Sequence, residues 1–179
     1  MLSNERLSTY PQGDHLKLVS NYVWNMALSE SFYPTLQTLE VVLRNAIHNR
    51  AKNYFKNDYW FDDQNIISHR NAIHDLQIAK QRLTEEGKLH EAQRIIAVLT
   101  FGFWNNLFNN CYEQTLWRPL IKDIFPHMPK RIRTRKYLSP RIHESRLWRN
   151  RVFHHEPIWH WQNLAQQHDQ ILEIISWVE

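Results

Sequence analysis

The chain has 179 residues, enough for one folded domain that needs neither a disulfide nor a metal for stability. Cys111 is the only cysteine, which excludes an intramolecular disulfide and suits a reducing compartment. No run approaches the roughly 18 apolar residues of a membrane span, and the N-terminal segment lacks the apolar core of a signal peptide, so the sequence predicts a cytoplasmic protein that does not enter membranes.

The net charge of +4 is unevenly distributed along the chain. Residues 130–151 contain nine basic side chains and a single acid, Glu144, so the remainder carries an excess of acids. Such a segment attracts polyanions through Coulomb steering and counterion release. The alternative is a solvated basic surface without a ligand.

Helical periodicity dominates the apolar pattern, which predicts an all-α bundle of five to six helices forming one domain over residues 1–179. The first helix is predicted over residues 14–29, with Asp14 as its N-cap. Its buried face is expected to comprise Leu16, Val19, Val23 and Met26. The second is predicted over residues 33–55, with Pro34 in its first turn. Its buried stripe comprises Leu36, Leu39, Leu43, Ala46 and Ile47.

The second half of the chain continues this pattern. Helices are predicted over residues 64–86, ended by Gly87, and over residues 89–110 and 116–124. After a basic loop, a helix should begin at Pro140, with Ser139 as N-cap, and end near residue 156, because Pro157 cannot continue it. The last helix is predicted over residues 159–178, with His168 as a hydrogen-bonded histidine at the edge of the core.

Glu40 is a polar residue that the apolar pattern does not explain. On a helical wheel it lies between Leu36 and Leu43, where a carboxylate needs a partner. Arg44, one turn later, shares that face and could pair with it. One interpretation is a structural ion pair; the other is that Glu40, Arg44 and Asn45 orient a functional site.

A second polar feature is the segment RNRVFHHE at residues 149–156. On a straight helix Arg149 and His154 lie about 140° apart, whereas Arg146, Asn150 and His154 share a stripe. Two copies of this helix related by a two-fold axis could therefore bring both kinds of side chain into one cleft. The structural alternative is a pair of histidines that interacts with the helix dipole, worth ~0.3–1 kcal/mol each.

An Arg followed by a polar residue, with a His near the end of the same helix, resembles the signature of the HEPN superfamily, and Arg149, Asn150 and His154 match it. Residues 22–50, 95–108, 116–126 and 149–158 are similar, in order, to blocks of the Abi-like abortive-infection proteins in that superfamily. The resemblance implies a helical bundle that dimerises through the helix carrying Arg149 and His154. It also implies a metal-independent endoribonuclease that acts as a toxin or antiphage effector, with Arg149 and His154 catalytic and Asn150 supporting them.

Such a ribonuclease needs no cofactor, because the substrate's 2′-OH is the nucleophile. Histidine suits proton transfer and arginine suits phosphate binding, so His154 is expected to move protons and Arg149 to bind the phosphate. His155 is a candidate second proton carrier. RNA is expected to contact six further basic residues, namely Arg133, Arg135, Lys136, Arg141, Arg146 and Arg151.

Three alternatives stay open. The chain could be a non-catalytic module that binds RNA or nucleotides, or a structural partner in a toxin–antitoxin pair whose antitoxin is RNA or protein. A metal site formed by His154, His155 and His160 is disfavoured, because Pro157 breaks the helix that would align these ligands. No metal is therefore predicted.

Overall fold

The computed structural model describes Tyr10 and residues 14–179, and this part of the chain is helical and contains no strand. Its seven α-helices are α1 (His15–Phe55), α2 (Arg70–Glu85), α3 (Ala92–Val98), α4 (Phe101–Asn106), α5 (Arg118–Ile124), α6 (Arg135–Phe153) and α7 (Leu164–Val178). The predicted all-α class is confirmed. Residues 1–9 and 11–13 of the predicted domain lie outside the described residues.

The central element is α1, a single helix of 41 residues that contacts α4, α5, α6 and α7. At 1.5 Å per residue it is about 60 Å long. The prediction of two helices here is wrong. Pro34 removes only one backbone donor, and Phe32 and Leu36 on either side are buried in the same core, so packing carries the helix through the proline.

The two halves of α1 bury different kinds of face. The predicted stripe in the second half is confirmed, since Leu36, Leu39, Leu43 and Ile47 lie in the core. The predicted stripe in the first half is wrong: three of its members are more than half exposed, namely Leu16, Val23 and Met26. The buried residues of this half are instead Leu18, Asn25, Ser29 and Phe32.

The middle helices differ from the prediction mainly at their ends. The predicted helix over residues 89–110 is divided into α3 and α4, because Leu99 and Thr100 adopt extended backbone angles (ψ 132° and 160°). The helix predicted from residue 64 begins only at Arg70. Gly87 follows its end as predicted, with a φ of +65° that suits glycine.

The basic segment enters α6 earlier than predicted. Thr134 is the N-cap, and its hydroxyl accepts a hydrogen bond from the Tyr137 N–H at 3.1 Å. Pro140 consequently lies inside the helix, and Ser139 is not its N-cap. The helix then ends at Phe153, before the two histidines.

The last helix, α7, begins at Leu164, five residues after the predicted start. Residues 159–160 and 162–163 form turns instead. His168 lies 3.0 Å from the Thr35 hydroxyl through Nε2 and is half-buried, which confirms its prediction as a hydrogen-bonded histidine at the core edge. Within the described residues, no helix is both long and apolar enough to cross a membrane.

Candidate active site

The chain leaves α6 through a Schellman motif. The Glu156 N–H donates to the Arg151 carbonyl at 2.9 Å, and the His155 N–H donates to the Val152 carbonyl at 3.2 Å. His155 occupies the left-handed position of this motif, with a φ of +57°, where glycine is usual. The side chains of His154 and His155 are both exposed at this helix end.

Glu40 pairs with Arg149, and the predicted pairing with Arg44 is wrong. Arg149 Nε lies 3.4 Å from Glu40 Oε2, and the two side chains are 28% and 20% exposed. The Nε–H itself is not directed into a hydrogen bond, so the contact is a Coulombic one between half-buried charges. Among the described residues no hydrogen bond occupies the terminal nitrogens of Arg149, which leaves them available to a phosphate.

An aromatic pair supports Arg149 from the side. The carbon centre of its guanidinium lies 4.4 Å from the centroid of the Phe153 ring, and the Phe153 ring lies 5.0 Å from that of Tyr33 on α1. A cation over an aromatic face is attracted to it. Arg149 is therefore positioned by one carboxylate and one ring, on the side of α6 that faces α1.

The other two members of the predicted polar block do not join this cluster. Arg44 donates from Nε to Asn45 Oδ1 at 3.4 Å on an exposed part of α1. Asn45 also lines a separate cleft with Asp123 and Glu179. Asn45 is rotated about 140° from Glu40 on the helix and therefore faces away from Arg149.

Asn150 and Arg146 lie on α6 beside Arg149 and are half-buried. The Asn150 carbonyl accepts the His154 N–H at 2.9 Å, but no hydrogen bond to its side chain amide exists within the described part of the chain. Arg146 Nε is likewise buried without a hydrogen-bond partner there. Both side chains thus retain hydrogen-bond donors that no group of the described chain occupies.

Two of the six predicted RNA-contacting residues donate hydrogen bonds to backbone carbonyls outside α6. Arg133 donates through two nitrogens to the Met128 carbonyl, at 3.0 and 2.7 Å. Arg135 is only 12% exposed, pairs with Glu113, and donates to the Phe108 carbonyl at 2.8 Å. These contacts fix the loop that leads into α6, which favours a structural role for both residues.

The other four make no such hydrogen bond in the described chain, although Arg141 donates to the Tyr137 carbonyl within α6 at 3.3 Å. Lys136 is exposed and forms no ion pair in the described chain. Arg141 stacks 3.7 Å over the Tyr137 ring, and exposed Arg151 lies 3.6 Å from Glu156 across the end of α6. Together with Arg146 they lie on the same helix as Arg149, at five-residue spacings that distribute them around α6.

Asn25 is a site residue that the sequence interpretation missed. It is buried, and its Oδ1 accepts hydrogen bonds from the N–H groups of Ile158 at 2.7 Å and Trp159 at 3.2 Å. Its amide donates to the Glu156 carbonyl at 3.5 Å. Asn25 therefore ties α1 to the segment that follows the two histidines. The available signal was its spacing from Leu18 and Phe32, which places all three on one helical face.

A cleft of about 240 Å³ opens beside this attachment. It is lined by Tyr22, Asn25, Met26, Ser29, Glu30, Tyr33 and His155. The cleft adjoins the Arg149 cluster, because Tyr33 belongs to both and His155 follows α6 directly.

Within residues 14–179 and Tyr10, no group of three His, Cys, Asp or Glu side chains converges in a way that could hold a metal ion. The set His154, His155 and His160 accordingly does not form such a group.

Comparison with known proteins found that no protein-family model, no curated protein and no solved structure matches this chain. The resemblance to the Abi-like family therefore stays a hypothesis that rests on the motifs of the sequence.

Proposed function

We propose that the chain is an endoribonuclease that cleaves RNA without a metal ion. The observation that carries the proposal is the Arg149 guanidinium, held by Glu40 and Phe153 with its terminal nitrogens unoccupied, on a helix whose end carries two exposed histidines. A fixed cation beside proton-transfer groups is what phosphodiester cleavage by an internal nucleophile requires.

The reaction assigns a role to each of these groups. A histidine removes the proton of the ribose 2′-OH, the 2′-oxygen bonds to phosphorus, and the bond from phosphorus to the 5′-oxygen breaks. A second proton carrier protonates that leaving oxygen, which gives a 2′,3′-cyclic phosphate and a 5′-OH. We assign His154 and His155 to proton transfer, Arg149 to the charged phosphate oxygens, and Asn150 to orienting His154 or the phosphate.

Glu40 acts on the reaction through Arg149 and is a positioning residue. Its carboxylate lies against Nε, so it orients the guanidinium without covering the terminal nitrogens. Orientation before the substrate binds reduces the entropy cost of reaching the transition state.

A homodimer through α6 completes the proposed site. Arg149 lies on α6 and His154 caps its end, and on a straight helix the two would point about 140° apart, so two α6 helices related by a two-fold axis would supply one cleft with both. In the last two turns of α6, Trp148 and Val152 are buried within the single chain, and Leu147 and Phe153 are exposed to a partner. Sedimentation across a salt series tests this: salt should strengthen the dimer by screening its arginines and weaken RNA binding.

The biological role that we propose is a cytoplasmic toxin or antiphage effector, restrained by an antitoxin RNA or protein. Induced expression in bacteria should then arrest growth and degrade RNA. The His154→Ala variant, expressed to the same level, should do neither, and equal toxicity of the two proteins would contradict the role.

The enzymatic proposal is tested with purified protein and total RNA in EDTA. Cleavage should persist in EDTA, spare DNA, and disappear in Arg149→Ala and His154→Ala. The matched controls are Arg94→Ala and His74→Ala, which remove an exposed arginine and an exposed histidine from α3 and α2. Loss of cleavage in EDTA with recovery on adding a divalent ion would overturn metal independence. RNA binding without cleavage would support the non-catalytic binding module.

A further inference from the structure

The cleft between the first half of α1 and His155 has the size and lining of a site for one planar ring system. Its volume of about 240 Å³ is below the roughly 300–1,000 Å³ of pockets for drug-sized ligands. Two tyrosines and one imidazole border it, namely Tyr22, Tyr33 and His155. Aromatic side chains of this kind stack on the faces of unpaired nucleobases.

Ser29 provides an independent indication of a ligand. Its side chain lines the cleft, is only 2% exposed, and has an Oγ without a hydrogen-bond partner. A buried hydroxyl that bonds to nothing is costly, and native proteins rarely retain one. A polar ring edge in the cleft would supply the missing hydrogen bond.

Glu30 brings a carboxylate to the cleft. It is exposed, lines the same cleft, and forms no ion pair within the described chain. An ionised carboxylate only accepts hydrogen bonds. Among the four RNA bases, guanine alone presents two adjacent donors on its Watson–Crick edge, N1–H and the N2 amino group. Adenine and cytosine place a ring acceptor beside the amino group, and uracil flanks its single N–H with two carbonyl oxygens.

We propose that this cleft binds a guanine base of the RNA next to the cleaved phosphate, with Glu30 as the residue that determines specificity. The inference rests on the proposed function in taking RNA as the substrate. His155 lines the cleft, and the Tyr33 ring lies 5.0 Å from the Phe153 ring that supports Arg149. A guanine held there leaves its ribose and phosphate at the side of the cleft that adjoins Arg149.

The test measures binding of RNA hexamers that cannot be cleaved because every 2′-OH is methylated. Fluorescence anisotropy compares full-length protein with a probe of five uridines and one guanosine, and with the same probe carrying adenosine instead. The guanine probe should bind about 5- to 150-fold more tightly, which corresponds to the ~1–3 kcal/mol that one bidentate base contact discriminates.

Three variants make the test specific. Glu30→Gln should remove the guanine preference, because an amide presents a donor where the carboxylate presents an acceptor. Ser29→Ala should weaken binding of the guanine probe without lowering the melting temperature, since the lost hydroxyl has no partner in the free protein. Glu173→Gln, an exposed glutamate on α7, is the matched control and should keep the preference.

Equal affinity for the two probes, no binding of either, or a preference that survives Glu30→Gln would overturn the inference. These outcomes are separable from failure of the proposed function, because the probes cannot react. Guanine preference without cleavage of ordinary RNA would remove the enzyme and keep the binding site. Cleavage of ordinary RNA without guanine preference would keep the enzyme and remove the guanine site.

Discussion

Asn25→Ala should both destabilise the fold and impair the site, because Asn25 is the polar attachment between α1 and the segment after His155. Its Oδ1 accepts hydrogen bonds from the N–H groups of Ile158 and Trp159. Ile158 is fully buried, whereas Trp159 is half-exposed. The substitution therefore leaves one backbone N–H buried without an acceptor and a second that water can reach.

The expected loss follows from these two donors. A buried donor left unsatisfied costs about 1–3 kcal/mol, and the partly hydrated one adds a smaller amount, so we expect the free energy of unfolding to fall by about 2–3 kcal/mol. For a chain of this size each kcal/mol shifts the melting temperature by about 2–4 °C, which gives a decrease of roughly 4–12 °C.

Urea and thermal denaturation followed by circular dichroism measure this loss, and Asn21→Ala is the matched control. Asn21 is half-buried one turn earlier on α1 and makes no side-chain hydrogen bond in the described structure. Hydrogen exchange provides a local readout, since the Ile158 amide should lose protection only in Asn25→Ala. The reasoning is refuted if both variants lose the same stability or if the Ile158 amide stays protected.

Three further predictions concern individual side chains. His155→Gly should leave the free energy of unfolding unchanged or raise it by about 1 kcal/mol, because a φ of +57° suits glycine; unchanged RNA cleavage in this variant would remove His155 from the mechanism. Burial lowers the pKa of His48, whose Nδ1 accepts the Trp60 indole N–H at 3.1 Å, so the fold favours the neutral ring. The stability that His48 contributes is therefore present above the unfolded-state pKa of about 6.5 and is lost as the pH falls below it, by up to ~1.4 kcal/mol per pH unit. Urea titrations at several pH values should show this slope in the free energy of unfolding, and the His48→Gln variant should lack it. Glu40→Gln should lower kcat by about ten-fold, or ~1.4 kcal/mol in the barrier, because Arg149 is no longer held in place. RNA binding should not weaken, because the substitution also removes a negative charge. Equal losses in kcat and in RNA affinity would indicate a merely structural role for Glu40.

The apolar spacing predicted those helices whose fully buried positions are apolar. The stripe from Leu36 to Ile47 is an example: its leucines and isoleucine are buried, whereas Glu40 within it is only half-buried and pairs with Arg149. The first half of α1 was assigned the wrong face, since its buried side includes Asn25 and Ser29 while Val23 is exposed. Binary patterning fails there because a hydrogen bond to a distant segment decides which side is buried.

The candidate site was predicted only in part, because contacts between distant segments form the rest of it. Arg149 and His154 were recognised from a local motif on one helix. The position of Glu40 on a helical wheel predicted that its carboxylate needs a partner. The partner was wrong, because one-turn spacing points to Arg44 and sequence alone does not show that α6 crosses α1 at Glu40. The cleft at Ser29 depends on two segments that are distant in sequence, α1 and His155, and had no local signal.

The central claim is that the RNA itself supplies the nucleophile, and it is tested by one change to the substrate. An RNA oligonucleotide that spans a mapped cleavage site is prepared with and without the single 2′-OH immediately 5′ of the broken bond, and both are incubated with the protein in EDTA. The account predicts that the unmodified RNA yields a 2′,3′-cyclic phosphate and a 5′-OH, and that the 2′-deoxy version stays intact at that bond. Cleavage of the deoxy version at the same bond, or products with a 5′-phosphate, would contradict it.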